Sequence, residues 1–309
     1  MSIDRIKSVF ENIETCDAWS LQLLQINNSR RNGTTYCGRE ITLSPEGALS
    51  NFLREISKRY CSGDKCLTKV FEDVTEYDGS AVNKTIYRLE SENELVATTY
   101  DALIDALANP DTEVNPLGFP AQAYVLRGRL TIGENETAVK LFSMQNPVVS
   151  LRHKFLHSSG TFREITDKVI SLRTTVDVVI IEDTIYMLTL AGENLLAMER
   201  AYKVVCSNKV NDIVDANIVS DTVVFKKEAN SGHNPRKFVS FNEAHLQRLN
   251  DVNIRNMVSE KFGIPLLGDK FDTNQPGVSD KIVKLLCERG MVDPFDNNPM
   301  EVSSSKRWV

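Results

Sequence analysis

No run of about 18 apolar residues occurs in this 309-residue chain, and a bilayer-crossing helix needs about that length of apolar sequence. The opening Met-Ser-Ile-Asp-Arg-Ile-Lys also lacks the apolar core of a signal peptide, so the expected location is cytoplasmic. Neither a phosphate-cradling P-loop, nor a dinucleotide fingerprint, nor a Gly-x-Ser-x-Gly nucleophile elbow is present, which argues against chemistry by those routes. The triplet acidic-x-Lys is missing too. Restriction-type nucleases use it to hold a divalent ion by carboxylates beside a charged amine. Histidine is scarce, with four. His153 and His157 are spaced to meet on a helix, but the intervening Lys-Phe-Leu offers no Glu as the base of a zinc hydrolase. Six cysteines are too few for the framework of a secreted domain. Cys61 and Cys66 are separated by four residues, with no second pair to complete a zinc site, so free thiols are expected and no metal, cofactor or catalytic residue is assigned. Positive charge is not in excess either, since 36 Lys and Arg meet 42 Asp and Glu for a net charge of −6. A polyanion would have to be met by a local cluster.

What the chain does have is ordinary globular content, 41% hydrophobic and 25% charged, and a length that fits two domains. The acidity is uneven: residues 1–119 carry 12 basic and 19 acidic side chains, residues 120–309 carry 24 and 23. Three prolines and a glycine punctuate 109–120. Together these place a boundary near residue 118 and predict an N-terminal mixed α/β domain, 1–117, followed by a domain, 118–309, with a mainly antiparallel sheet packed with C-terminal helices. The fold class is α+β. In the first part, helices are expected after Ser2, after the Ser44-Pro45 cap and after Ser91, where Ser91–Glu94 fits a capping box. Strands are expected at 20–26, 35–43, 66–70 and 84–89. In the second, 121–132 and 137–145 read as a hairpin turning at Gly133–Glu136, a third strand follows at 148–156, and the apolar runs 176–181 and 185–190 form another hairpin.

Two constellations bear on chemistry. Asp177, Glu182 and Asp183 bracket an apolar strand; they are either carboxylates facing a site or, more often for this pattern, the solvated turn of a hairpin. The basic residues of the second part are more pointed. In Leu126-Arg-Gly-Arg-Leu-Thr-Ile132, alternation puts Arg127 and Arg129 on one face. The expected register sets Lys140 opposite Arg129 and Phe142 opposite Arg127, and the next strand adds Arg152 and Lys154 to the same face. Like charges directly across a ladder are destabilising, so such a face calls for an anionic neighbour or an anionic ligand, unless it is simply solvated. Lys226 and Lys227, with Arg236 and Lys237 around an expected loop, make a second basic patch.

The run from Ala121 to Tyr202 resembles the KwaB-like family, the soluble component of the two-gene Kiwa anti-phage defence systems of bacteria. The residues that carry the resemblance are Phe142-Ser-Met-Gln-Asn-Pro147, Phe162-Arg-Glu-Ile165 and Val176-Asp-Val-Val-Ile-Ile-Glu-Asp-Thr-Ile-Tyr-Met-Leu188, with Leu285–Pro294 and Ser305–Trp308 near the end. The resemblance implies a protein that acts on phage DNA together with a small multi-pass membrane protein, at the inner face of the cell membrane through that partner. It supplies no catalytic residue. The combined expectation is a homo-oligomeric effector that binds DNA without sequence specificity through Arg127, Arg129, Lys140, Arg152, Lys154, Lys226 and Lys227. The alternatives are a metal-dependent DNA nuclease using Asp177, Glu182 and Asp183, and a purely structural interaction module.

Overall fold

The computed structural model describes residues 3–16, 18–29, 33–43, 47–111, 118–150, 154–158, 160–165, 168–293, 295–296 and 298–303. The chain forms two compact units, one of Met1–Glu76 with Lys84–Ala197 and one of Tyr77–Asn83 with Met198–Val309. The fold class is α+β, with a large sheet and a helical C-terminal part.

The first unit begins with α1 (Asp4–Glu11), whose Ile6, Val9 and Phe10 share a buried stripe. There follow β1 (Ser20–Ser29), β2 (Gly33–Ile41), α2 (Ala48–Cys61), α3 (Leu67–Val70), β3 (Asp73–Glu76), β4 (Thr85–Glu90) and α4 (Ala97–Ala108). Beyond residue 118 come β5 (Ala123–Ile132), β6 (Asn135–Ser143), β7 (Val148–Ser150), β8 (Lys154–Ser158), β9 (Thr161–Ile165), β10 (Lys168–Ile170), β11 (Val178–Ile181), β12 (Thr184–Met187) and α5 (Ala191–Leu195). Eight strands form one sheet in the order β2-β1-β5-β6-β11-β12-β4-β3. All neighbours are antiparallel except β3 and β4, which are parallel.

The expected boundary at 117/118 is corrected by this sheet. β1 pairs with β5 through Leu21↔Leu126 and Leu23↔Tyr124, and these four side chains are buried with Ile6, Phe10, Leu53 and Tyr60 of α1 and α2 in one core. Strands on both sides of residue 118 therefore complete a single apolar layer, and the proline-rich run is a connection inside a unit. The units divide at Ala197/Met198 instead. α4 lies over the opposite face, where the Leu107 carbonyl accepts from Gln22 Nε2 at 3.2 Å and from Arg127.

Three local expectations also change. Residues 66–70 hold the helix α3 rather than a strand. α4 starts at Ala97 after turns in which Asn93 Oδ1 accepts from the Leu95 amide at 3.0 Å, so Ser91 does not cap it. The expected strand 148–156 is broken: β7 pairs with β10 and β8 with β9, each as a separate two-stranded ribbon. The expected cap at Ser44-Pro45 and the one at Ser2 fall outside the described residues.

The second unit contains α6 (Met198–Asp215), α7 (Thr222–Ala229), α8 (Asn234–Lys237), α9 (Glu243–Arg248), α10 (Val252–Phe262), the hairpin β13 (Leu266–Leu267) and β14 (Lys270–Phe271), α11 (Val278–Leu286), and the hairpin β15 (Gly290–Val292) and β16 (Pro299–Glu301). Its core gathers Val210, Ile213, Phe225, Phe238, Phe271 and Ile282. Asp221 caps α7 by accepting from the amides of Val223 and Val224, and Asp251 caps α10 through Asn253. The segment Tyr77–Asn83 is held here by two arginines. Arg236 donates to Tyr77 Oη at 3.0 Å and the Ser80 carbonyl at 2.9 Å, while Arg289 donates to the Asp78 carbonyl at 2.8 Å and lies 3.4 Å from its carboxylate. Among the described residues, no helix is long and apolar enough to cross a membrane.

Candidate nucleic-acid interface

The β5–β6 ribbon is the site to which the basic residues point. β1 begins at Ser20, opposite Arg127, while β5 runs on to Ile132. The far part of the ribbon therefore extends past the end of its neighbour. The two strands join through Gly133 and Glu134, because Ile132 pairs with Asn135. Gly133 has φ +66°, a conformation that favours glycine.

This turn is two residues shorter than expected, and it moves the register by two. Arg127 sits opposite Lys140 and Arg129 opposite Ala138, correcting the pairing of Lys140 with Arg129 and of Phe142 with Arg127. A slip of one would have turned every side chain over, whereas a slip of two keeps each on its face. Arg127, Arg129 and Lys140 thus still share one face, in a row that runs Ser20, Arg127, Lys140, Ile180 across four strands.

Each cation has a distinct environment. The Arg127 guanidinium donates to the Leu107 carbonyl in the last turn of α4, where the helix end carries partial negative charge. Lys140 is half-buried, and no hydrogen bond or ion pair holds it among the described residues. Burial, and then repulsion from Arg127, hold its ammonium below the ordinary lysine range against the pull of Asp183 and Glu182. Arg129 is exposed, 3.9 Å from Glu136, an ion pair worth little in solvent.

Beside these residues is an open pocket of about 520 Å³, with Thr15, Cys16 and Ser20 on one wall. The wall is held by Trp19, whose indole donates to the Ile13 carbonyl at 2.8 Å. It packs against Gly128, where a Cβ would come within 2.9 Å of Cys16 Sγ and the Trp19 ring. Ser20 and the Leu107 carbonyl carry no local sequence signal. Ser20 reaches the site through pairing with a strand about a hundred residues away, and the Leu107 carbonyl through the packing of α4 on the sheet, so only tertiary structure identifies them.

Lys154 opens β8 in the separate β8–β9 ribbon, so it does not extend the sheet, and Arg152 lies outside the described residues. Lys226 and Lys227 are exposed on the helix α7 of the second unit. Arg236 is tied to Tyr77 and Ser80, and Lys237 to Asp280 at 3.1 Å, so the second patch narrows to the two lysines. His157 lies in an extended strand, not on a helix, and His153 is outside the described residues.

The three acidic candidates are held apart by separate tasks. Asp177 accepts from the Met144 amide at 2.7 Å and Thr189 Oγ1 at 2.6 Å, Glu182 accepts from the Ala138 amide at 2.7 Å, and Asp183 accepts from Tyr100 Oη at 3.2 Å. Among the described residues no three His, Cys, Asp or Glu side chains converge.

A family model described as Kiwa protein KwaB-like matches residues 124–292. The match spans β5 and β6, the β11–β12 hairpin and the helices through β15. No curated protein and no solved structure matches the chain.

Proposed function

This chain belongs to the Kiwa protein KwaB-like family, a component of Kiwa anti-phage defence, and from that premise we propose that it acts by binding DNA without sequence specificity through the β5–β6 ribbon. The observation that carries the reading is the register: two cations, Arg127 and Lys140, stand directly opposite each other with Arg129 two residues along on the same face. A ladder pays electrostatically for such an arrangement, and phosphate oxygens relieve it. Contacts of this kind position a backbone and carry no base information. We further propose, from the family resemblance, that the protein works as a homo-oligomer with a small multi-pass membrane protein of the same system, which would hold it at the inner face of the membrane. Co-purification of the two proteins from detergent tests that part. No observation favours the nuclease reading, since Asp177, Glu182 and Asp183 are engaged in three different places.

Gel shifts on covalently closed circular DNA of two unrelated sequences test the binding. Equal affinities are expected, falling steeply with salt, because each neutralised phosphate releases about 0.9 counterion. The double reversal Arg129→Glu and Lys140→Glu should weaken binding more than tenfold and flatten the salt slope by about two. Unchanged binding there, with loss on reversing Lys226 and Lys227, would move the interface to α7.

A further inference from the structure

The ribbon holds cations of two kinds, and the difference bears on which phosphate each can meet. Arg129 stands out in solvent at the rim. Arg127 and Lys140 are half-buried on the same face, beside a pocket of about 520 Å³ that Ser20 and Thr15 also line, the Thr15 hydroxyl donating to the Asn12 carbonyl at 2.7 Å. Among the described residues the nearby acidic groups attract Lys140 without pairing with it. Glu182 spends an oxygen on the Ala138 amide, Asp183 accepts from Tyr100, Glu136 lies by Arg129, and none is within ion-pair distance of Lys140. Arg127 gives one donor to the Leu107 carbonyl, and a guanidinium has five.

We propose that the pocket formed by Ser20, Arg127 and Lys140 is a receptor for a phosphate monoester, the terminal phosphate of a nucleotide or of a DNA strand. The inference rests on the reading of the ribbon as a phosphate-binding face and adds to it the kind of phosphate the inner cations take. A monoester carries about −1.5 to −2 charge near neutrality and three acceptor oxygens, against a single charge for a diester. That matches two opposed cations better than a backbone diester does. A terminal group can also enter the open pocket, which the more exposed Arg129 and Glu136 line as well. The volume lies within the range of small-ligand sites. Partial burial makes each charge contact stronger and less screened by salt than one at Arg129.

The test compares duplex oligonucleotides of one sequence bearing 5′-phosphate or 5′-hydroxyl ends, with closed circular DNA as the reference for binding without ends. Thymidine 5′-monophosphate and thymidine are titrated alongside by calorimetry. The expected result is at least fivefold tighter binding of the phosphorylated duplex, and heat from the monophosphate but not from the nucleoside. Lys140→Met should erase both effects and Lys140→Arg should retain them, while Arg129→Gln should weaken all DNA alike and leave the fivefold preference. Saturation by the monophosphate at a concentration no higher than that of the phosphorylated duplex assigns the site to free nucleotides, and tighter binding of the duplex assigns it to strand ends. Equal affinity for the two kinds of end together with no heat from the monophosphate, or a preference that survives Lys140→Met in a folded variant, overturns the proposal. In that event binding of circular DNA still stands as evidence for the ribbon, and its loss in the parent protein would instead remove the DNA-binding reading while the calorimetry continues to decide the pocket.

Discussion

Arg127 and Lys140 face each other across neighbouring antiparallel strands, both half-buried, and the arginine alone is secured, through the end of α4. Like charges directly opposite each other cost stability, and the desolvated ammonium adds to that cost. Lys140→Met should therefore leave the protein as stable or stabilise it by roughly 0.5 to 1 kcal/mol, while weakening DNA binding. The sign with pH can be checked as well. A lysine whose folded pKa is lowered is a burden below that pKa, relieved as pH rises towards 10.5, the ordinary value. Urea denaturation of parent and variant should show their difference shrinking with alkalinity, and a variant that is markedly less stable would refute the reading.

Tyr60 accepts from the Val176 amide at 2.7 Å and donates to the Val176 carbonyl at 3.1 Å, with its ring stacked on Phe10 at 4.3 Å between centroids. Tyr60→Phe keeps the stack and leaves a buried amide without its acceptor. A loss of about 1 to 3 kcal/mol is expected, measurable by chemical denaturation. An unchanged midpoint would mean that water replaces the hydroxyl.

Asp78 and Arg289 form a largely buried pair, with the Arg289 side chain 4% exposed. Beside them Gly79 has φ +75°, and a Cβ there would fall 2.2 Å from the Arg236 carbonyl oxygen. Removing one partner of a buried pair costs on the order of 3 kcal/mol or more, so Asp78→Ala and Gly79→Ala should each lower the unfolding midpoint sharply. Ribbon variants should leave it nearly unchanged. Wild-type stability in Gly79→Ala would show that the segment is not held as described.

Burial pushes the Cys206 thiol up to about 12, and burial raises Cys287 also. A thiol that holds its proton more tightly in the folded state supports the fold fully below its ordinary value of 9 and loses that support as pH rises towards 12. Stability should begin to fall near pH 9, and Cys206→Ala should fall less steeply between pH 9 and 11. Equal slopes in parent and variant would exclude Cys206 as a source of the effect.

The sequence by itself determined the local and compositional facts. The stripe of Ile6, Val9 and Phe10 and the alternation that puts Arg127 and Arg129 on one face follow from side-chain period, and the buried strands Val178–Ile181 and Thr184–Met187 from near-continuous apolar runs, all properties of neighbouring residues. The family was legible for a similar reason, in contiguous motifs of the matched region. Only the tertiary structure decided what depends on distant pairing. The joining of β1 to β5 across the apparent boundary, the turn that set Arg127 against Lys140, and the diversion of Lys154 into a separate ribbon are choices among registers and neighbours. Local propensity scarcely separates those choices. They are selected by which arrangement buries Leu21, Leu23, Tyr124 and Leu126 against α1 and α2, an energy that exists only when the whole layer is assembled.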